Sequence, residues 1–99
     1  MNAVQFTRIA KALADPRRFE LLEMIAGDDE VACKRMVGAF PVSQATISHH
    51  LKELATAGLI EARREGQCGH YRVIPGVLDV YLAEVARRLH AHAPAFTAG

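Results

Sequence analysis

The sequence has little cysteine, no tryptophan and almost no net charge. Cys33 and Cys68 are its only cysteines and do not form a CxxC pair, so a disulfide scaffold is not expected. No window approaches the roughly 18 consecutive apolar residues of a membrane span. The first residues, Met1 to Ala14, lack the apolar core and cleavage pattern of a signal peptide. These absences predict a cytoplasmic protein with no membrane partner.

Catalytic motifs are also missing. The sequence contains no phosphate-binding loop, no HExxH and no recognisable spacing of nucleophile, base and orienting group. Ser48, His49 and His50 are neighbours, but successive residues of a helix point about 100° apart and cannot form a triad by themselves. With 99 residues, of which 51% are hydrophobic, the chain is expected to fold as one domain over residues 1–99. We therefore predict a small protein that is not an enzyme.

Apolar residues at helical spacing predict two helices in the first part of the chain. The first pattern stops at Asp15-Pro16, because proline disfavours helix in the residue before it. Asp15 can then cap a second helix with Pro16 at its first position. That helix is expected to run from about Pro16 to Ala26, where Gly27 follows.

A third and a fourth helix are predicted in the middle of the chain. The third is short and is expected to include Val31, Cys33, Met36 and Val37. Gly38 and Pro41 end it. The fourth is predicted from about Ser43, a good N-cap, to Ala57, with Gly58 as its C-terminal cap.

The remaining elements are a hairpin and a last helix. Strands are expected at residues 59–64 and 70–74, separated by the flexible sequence EGQCG, and helical spacing then runs from Val77 to about Ala91. Short helices in tandem followed by a basic hairpin indicate a helix-turn-helix with a wing. The predicted fold class is therefore mainly α with a small β-hairpin, a winged helix-turn-helix.

The fourth helix carries side chains suited to reading DNA. Opposite its apolar side it presents small and polar residues that can approach base edges: Ser43, Gln44, Ala45, Ser48 and His49. A second group is predicted to contact the phosphate backbone or the minor groove from this helix and the wing: Thr46, Lys52, Arg63, Arg64, Gln67 and Arg72. Double-stranded DNA is the partner that this arrangement predicts.

The same residues have other interpretations. A polar helix face is often only solvated, and arginines on an edge strand also protect against aggregation. A winged-helix module can instead use this face to dock a protein, and salt distinguishes the two because DNA binding weakens steeply with ionic strength. The formal net charge of +1 argues against nucleic acid, although the bases gather between Lys52 and Arg72.

Several segments in combination closely resemble the ArsR family of bacterial winged-helix repressors. They read ALADPRR at residues 12–18, VSQATISHHLKEL at 42–54, AGLI at 57–60, RREG at 63–66 and HYRV at 70–73. The resemblance implies a homodimeric repressor on an inverted repeat, with helices at residues 2–14 and 76–91 forming the interface. Apolar residues beyond the needs of a small core agree with this: Phe6, Ile9, Leu13, Leu78, Tyr81, Leu82, Val85 and Leu89.

The resemblance extends poorly to the sensing sites of the family. The arsenic type carries Cys-x-Cys at the start of the third helix, whereas here Cys33 stands alone beside Lys34. The zinc type has ligands on the last helix, where this chain offers Asp79 and His92 as candidates. Thiol sensing by Cys33 or Cys68 is a further hypothesis. No cofactor is predicted, and a zinc, metalloid or thiol-reactive effector stays open.

Overall fold

The computed structural model describes residues 1–65 and 68–90. Within these ranges the chain forms five helices and three short strands. They are α1 (Ala3–Ala14), α2 (Pro16–Ala26), β1 (Val31–Ala32), α3 (Cys33–Ala39), α4 (Gln44–Thr56), β2 (Ile60–Glu65), β3 (Cys68–Val73) and α5 (Val77–His90). The predicted fold class is confirmed, and α2 has the predicted bounds.

Side-chain caps explain where the helices begin. The Asp15 carboxylate accepts a hydrogen bond from the backbone N–H of Arg18 at 3.0 Å, with Pro16 in the first turn of α2. This hydrogen bond is the main reason that the pKa of Asp15 lies below its ordinary value. Ser43 caps α4 in the same way by accepting from the N–H of Thr46 at 3.2 Å.

The start of the predicted third helix is wrong. Val31 and Ala32 form strand β1, which pairs antiparallel with β3 in the register Val31 with Tyr71 and Ala32 with His70. The sheet therefore has three strands in the order β1-β3-β2, rather than the expected two-stranded hairpin. In this extended conformation the backbone of Val31 pairs with β3 while its side chain is buried in the core. The helix α3 therefore begins only at Cys33.

The two hairpin strands have other bounds than predicted. Glu65 pairs with Cys68 and Arg64 with Gly69, so the strands extend into the segment that was expected to be a loop. Ladder hydrogen bonds are made by the backbone and need no apolar side chains, which explains why the hydrophobic pattern gave the wrong strand ends. The pairing of β2 with β3 thus continues through Arg64 and Gly69 to Glu65 and Cys68.

The core lies between α1 to α4 and the inner face of the sheet. Its fully buried members include Leu21, Ile25, Met36 and Ile60, whereas α5 contributes no buried residue. Ile9 was predicted to lie in a dimer interface, and this is wrong because its side chain is 0% exposed within its own chain. The apolar side of α1 packs partly on its own core, so this residue has no surface left for a partner.

Gly58 follows the C-cap residue of α4 and has a φ of +81°, a backbone conformation that favours glycine. An added Cβ would also lie 2.8 Å from Nε2 of Gln5, whose amide donates a 3.4 Å hydrogen bond to the carbonyl of Ala57. We expect Gly58→Ala to lower the free energy of unfolding by about 1–2 kcal/mol in urea titrations. The control Gly38→Ala lies within α3 with no atom within 4 Å of its added Cβ, and should raise stability by about 0.4–1 kcal/mol. Equal effects of the two variants would contradict the role assigned to backbone conformation.

Candidate nucleic-acid interface

One face of α4 is polar and points away from the core. Ile47, Leu51 and Leu54 anchor the helix and are at most 1% exposed. Five of the residues predicted to contact DNA are exposed on this helix and fall within an arc of about 140°. They are Gln44, Ala45, Ser48, His49 and Lys52. The structure therefore brings these predicted residues together on one accessible surface, which we call the α4 face.

The two hydroxyl residues at the start of α4 have a structural task. Oγ of Ser43 accepts from the N–H of Thr46 and lies 3.0 Å from Oγ1 of the same residue. Both side chains are exposed, so this cap sits at the N-terminal edge of the α4 face. Contact of Ser43 and Thr46 with DNA stays a prediction.

His50 lies at the border of α4 rather than on the α4 face. Its side chain is half-buried, and Nδ1 is shielded from solvent with no hydrogen-bond partner among the described residues. Burial lowers the pKa of His50 because the imidazolium loses hydration, and Asp15 only partly opposes the shift. The partly buried site therefore favours the neutral form of His50.

Two of the three wing arginines, Arg63 and Arg72, are engaged in ion pairs that the sequence did not reveal. Nη2 of Arg63 donates to Oε1 of Glu30 at 2.5 Å, and Arg72 pairs with Glu61 across the two strands. The side chain of Arg64 and the whole of Gln67, two further predicted contacts, lie outside the described residues. Side chains alternate between the two faces of a strand, which places Glu61 and Arg63 on one face of β2. This alternation could have indicated the cross-strand pair of Glu61 with Arg72. No local pattern indicates the pairing of Glu30 with Arg63.

Apolar side chains that the core leaves uncovered gather on α5. Leu78, Leu82 and Leu89 are 38%, 53% and 73% exposed, respectively, and lie within about 40° of one another around the helix. The other predicted interface residues are partly buried: Phe6, Leu13, Tyr81 and Val85. The Phe6 and Tyr81 rings are 5.2 Å apart and join α1 to α5. We call the exposed leucines the α5 stripe.

The sensing hypotheses stay predictions, because several of their residues lie outside the described part of the chain. Cys33 is 3% exposed, which limits access of reagents to its thiol, and the side chain of Cys68 lies outside the described residues. Asp79 is exposed, while its candidate co-ligand His92 also lies outside the described residues. Within residues 1–65 and 68–90, no three His, Cys, Asp or Glu side chains are grouped to hold a metal ion.

The arrangement of elements defines a class of protein. A short helix, a turn, an exposed polar helix and a hairpin form a winged helix-turn-helix of the kind that reads nucleic acid. A family model described as a helix-turn-helix domain matches residues 13–63. The chain belongs to the ArsR family of winged helix-turn-helix transcriptional regulators. In its described part, no helix is long and apolar enough to cross a membrane.

Relatives come from several bacteria. An arsenical resistance operon repressor of Staphylococcus xylosus is 33% identical over 79 residues, covering 80% of this chain and 75% of its own length. The HTH-type transcriptional regulator Rv0324 of Mycobacterium tuberculosis is 36% identical over 93 residues, and the match spans 83% of this chain and 41% of that protein. A solution structure of a homodimeric winged helix-turn-helix DNA-binding domain from Mycobacterium bovis superposes with a TM-score of 0.68 at 33% identity, covering 93% and 88% of the two chains.

Proposed function

We propose that the protein is a cytoplasmic, homodimeric repressor that binds an inverted repeat in double-stranded DNA and has no catalytic activity. The single observation that carries this proposal is the α4 face, whose polar side chains are exposed while Ile47, Leu51 and Leu54 are buried behind them. A buried apolar side holds the helix rigidly and leaves the opposite side available to a groove. Relatives that are named as repressors, and one described as a homodimer, support the proposal.

The residue types on the α4 face match the chemistry of the major groove. The amide of Gln44 can bond both N6 and N7 of adenine, and the methyl group of Ala45 can contact that of thymine. Ser48 and His49 add hydrogen-bonding groups beside them. Lys52, nearer the C-terminal end, is suited to a phosphate. Base contacts at one end and a phosphate contact further along would orient the helix in the groove.

A second copy of the chain accounts for the α5 stripe. Exposed leucines at this spacing are unfavourable in water, and pairing the stripe with that of a partner would bury them. The two-fold symmetry of such a dimer would present two α4 helices to successive major grooves, about 34 Å apart. Binding would then cover a promoter and block transcription.

Selection from a random duplex pool at about 150 mM salt tests this function, since sequence-specific binding must survive that ionic strength. We expect enrichment of an inverted repeat. The selection is repeated with Zn(II), arsenite, peroxide or polysulfide, and loss of enrichment with one of them would identify the class of effector. No enrichment, together with binding of a protein that salt changes little, would contradict DNA recognition and favour a docking role.

Two substitutions on the α4 face separate base reading from phosphate contact. We expect Gln44→Ala to weaken binding of the selected repeat by about 1–3 kcal/mol and to relax specificity at one base pair. Lys52→Ala should weaken every duplex alike and reduce the slope of log K against log salt by about one. Fluorescence anisotropy on the selected and a scrambled duplex measures both. Equal losses on the two duplexes for Gln44→Ala would contradict its assignment.

A further inference from the structure

The outer face of the sheet carries side chains of both charge signs. In the register of β2 with β3, Glu61 lies opposite Arg72 and Arg63 opposite His70. Glu30 immediately precedes β1, whose pairing with β3 brings this carboxylate to the same face. Its Oε1 is 2.5 Å from Nη2 of Arg63 and 3.2 Å from Nδ1 of His70. Glu30, beside the edge strand β1, is thus the anion that contacts both Arg63 and His70 on this face.

The contact between Glu30 and Arg63 uses both carboxylate oxygens. Nη2 of Arg63 donates to Oε1, and Nε donates to Oε2 at 3.4 Å. A guanidinium presents the same fork to a carboxylate as it does to a phosphate. The hydrogen bonds from Arg63 also hold the pKa of Glu30 below its ordinary value, so the group is ionised at neutral pH. The forked pair of donors on Arg63, Nε and Nη2, is therefore already engaged within the chain.

We propose that Glu30 is a positioning residue that stands in for a DNA phosphate at Arg63, so that this wing arginine reaches DNA only by exchanging one anion for another. The inference rests on the proposed function, because it assigns a regulatory contact to the same DNA-binding surface. This exchange makes the net contribution of Arg63 to DNA affinity small in the unmodified protein. It lowers affinity for duplexes of every sequence while leaving base reading to the α4 face.

The proposal predicts a gain of affinity when the competing anion is removed. In Glu30→Gln the amide no longer carries the charge that holds Arg63, and we expect random-sequence duplex to bind about threefold to fivefold more tightly. The selected inverted repeat should gain by a similar factor. The slope of log K against log salt should become steeper by up to about 0.9, since one more phosphate is neutralised without an internal exchange. A merely structural role would lower affinity instead.

Two controls separate this exchange from the general effect of removing a negative charge. Glu23→Gln changes the net charge equally at an exposed position of α2, and it should leave affinity and salt slope nearly unchanged. Glu30→Gln is also combined with Arg63→Ala, in whose background its gain should disappear because the arginine it releases is absent.

The outcomes are distinct. Unchanged or weaker binding by Glu30→Gln, or a gain that persists without Arg63, overturns the role of Glu30 while DNA binding by the unmodified protein stands. If the unmodified protein binds no duplex at low salt, the proposed function fails, and the phosphate exchange fails with it. Circular dichroism of each variant establishes that the fold is kept.

Discussion

Leu82→Glu is expected to yield a monomer that loses binding to the inverted repeat. Leu82 is the middle residue of the α5 stripe and is 53% exposed. A carboxylate at this position is well hydrated in the single chain, but in the dimer it would be buried with no hydrogen bond or ion pair to compensate. Because one half-site then binds without the help of the other, affinity should fall by about 10²- to 10⁴-fold. Analytical ultracentrifugation and titration with the selected duplex measure the two effects. The helix content should not change.

Val80→Glu provides the matched control for this prediction. Val80 belongs to the same helix and is 51% exposed, but it lies about 160° around α5 from Leu82. The same charge is therefore introduced on the other side of the helix, outside the α5 stripe. We expect this variant to remain dimeric and to bind the repeat. Equal dissociation of both variants would contradict the stripe as the contact surface, and dimerisation of Leu82→Glu would contradict it too.

The parts of the fold that depend on neighbouring residues could be predicted from sequence. The Asp15-Pro16 step predicts both the end of α1 and the start of α2, because capping and proline geometry act within a few residues. The α4 face follows equally from local periodicity, since three buried positions on one side leave the opposite side exposed. Ser43 as the cap of α4 is the same kind of local signal.

The parts that were missed depend on residues distant along the chain. Strand β1 has only two residues and exists because β3, about 40 positions later, provides its hydrogen bonds. Glu30 and Arg63 are 33 positions apart, and only the three-stranded sheet brings them together. Ile9 shows a related limit. Periodicity identified an apolar side of α1, but whether a residue on it faces its own core or a partner depends on how the helices pack.

Leu54→Ala is expected to be the most destabilising of the substitutions considered, because it acts on the residue that fastens α4 to the core. Leu54 is 0% exposed, and its truncation should lower the free energy of unfolding by about 2–5 kcal/mol, through lost burial and the cavity that remains. Such a loss is a large part of the roughly 5–15 kcal/mol that stabilises a typical domain. Leu89→Ala removes the same atoms at a position that is 73% exposed, and should cost less than about 0.5 kcal/mol. Both are measured by urea unfolding in the Leu82→Glu background, so that dimer dissociation does not contribute. Similar losses for the two leucines would mean that α4 is held by something other than its buried side, and the argument that this side presents the α4 face to DNA would fail with it.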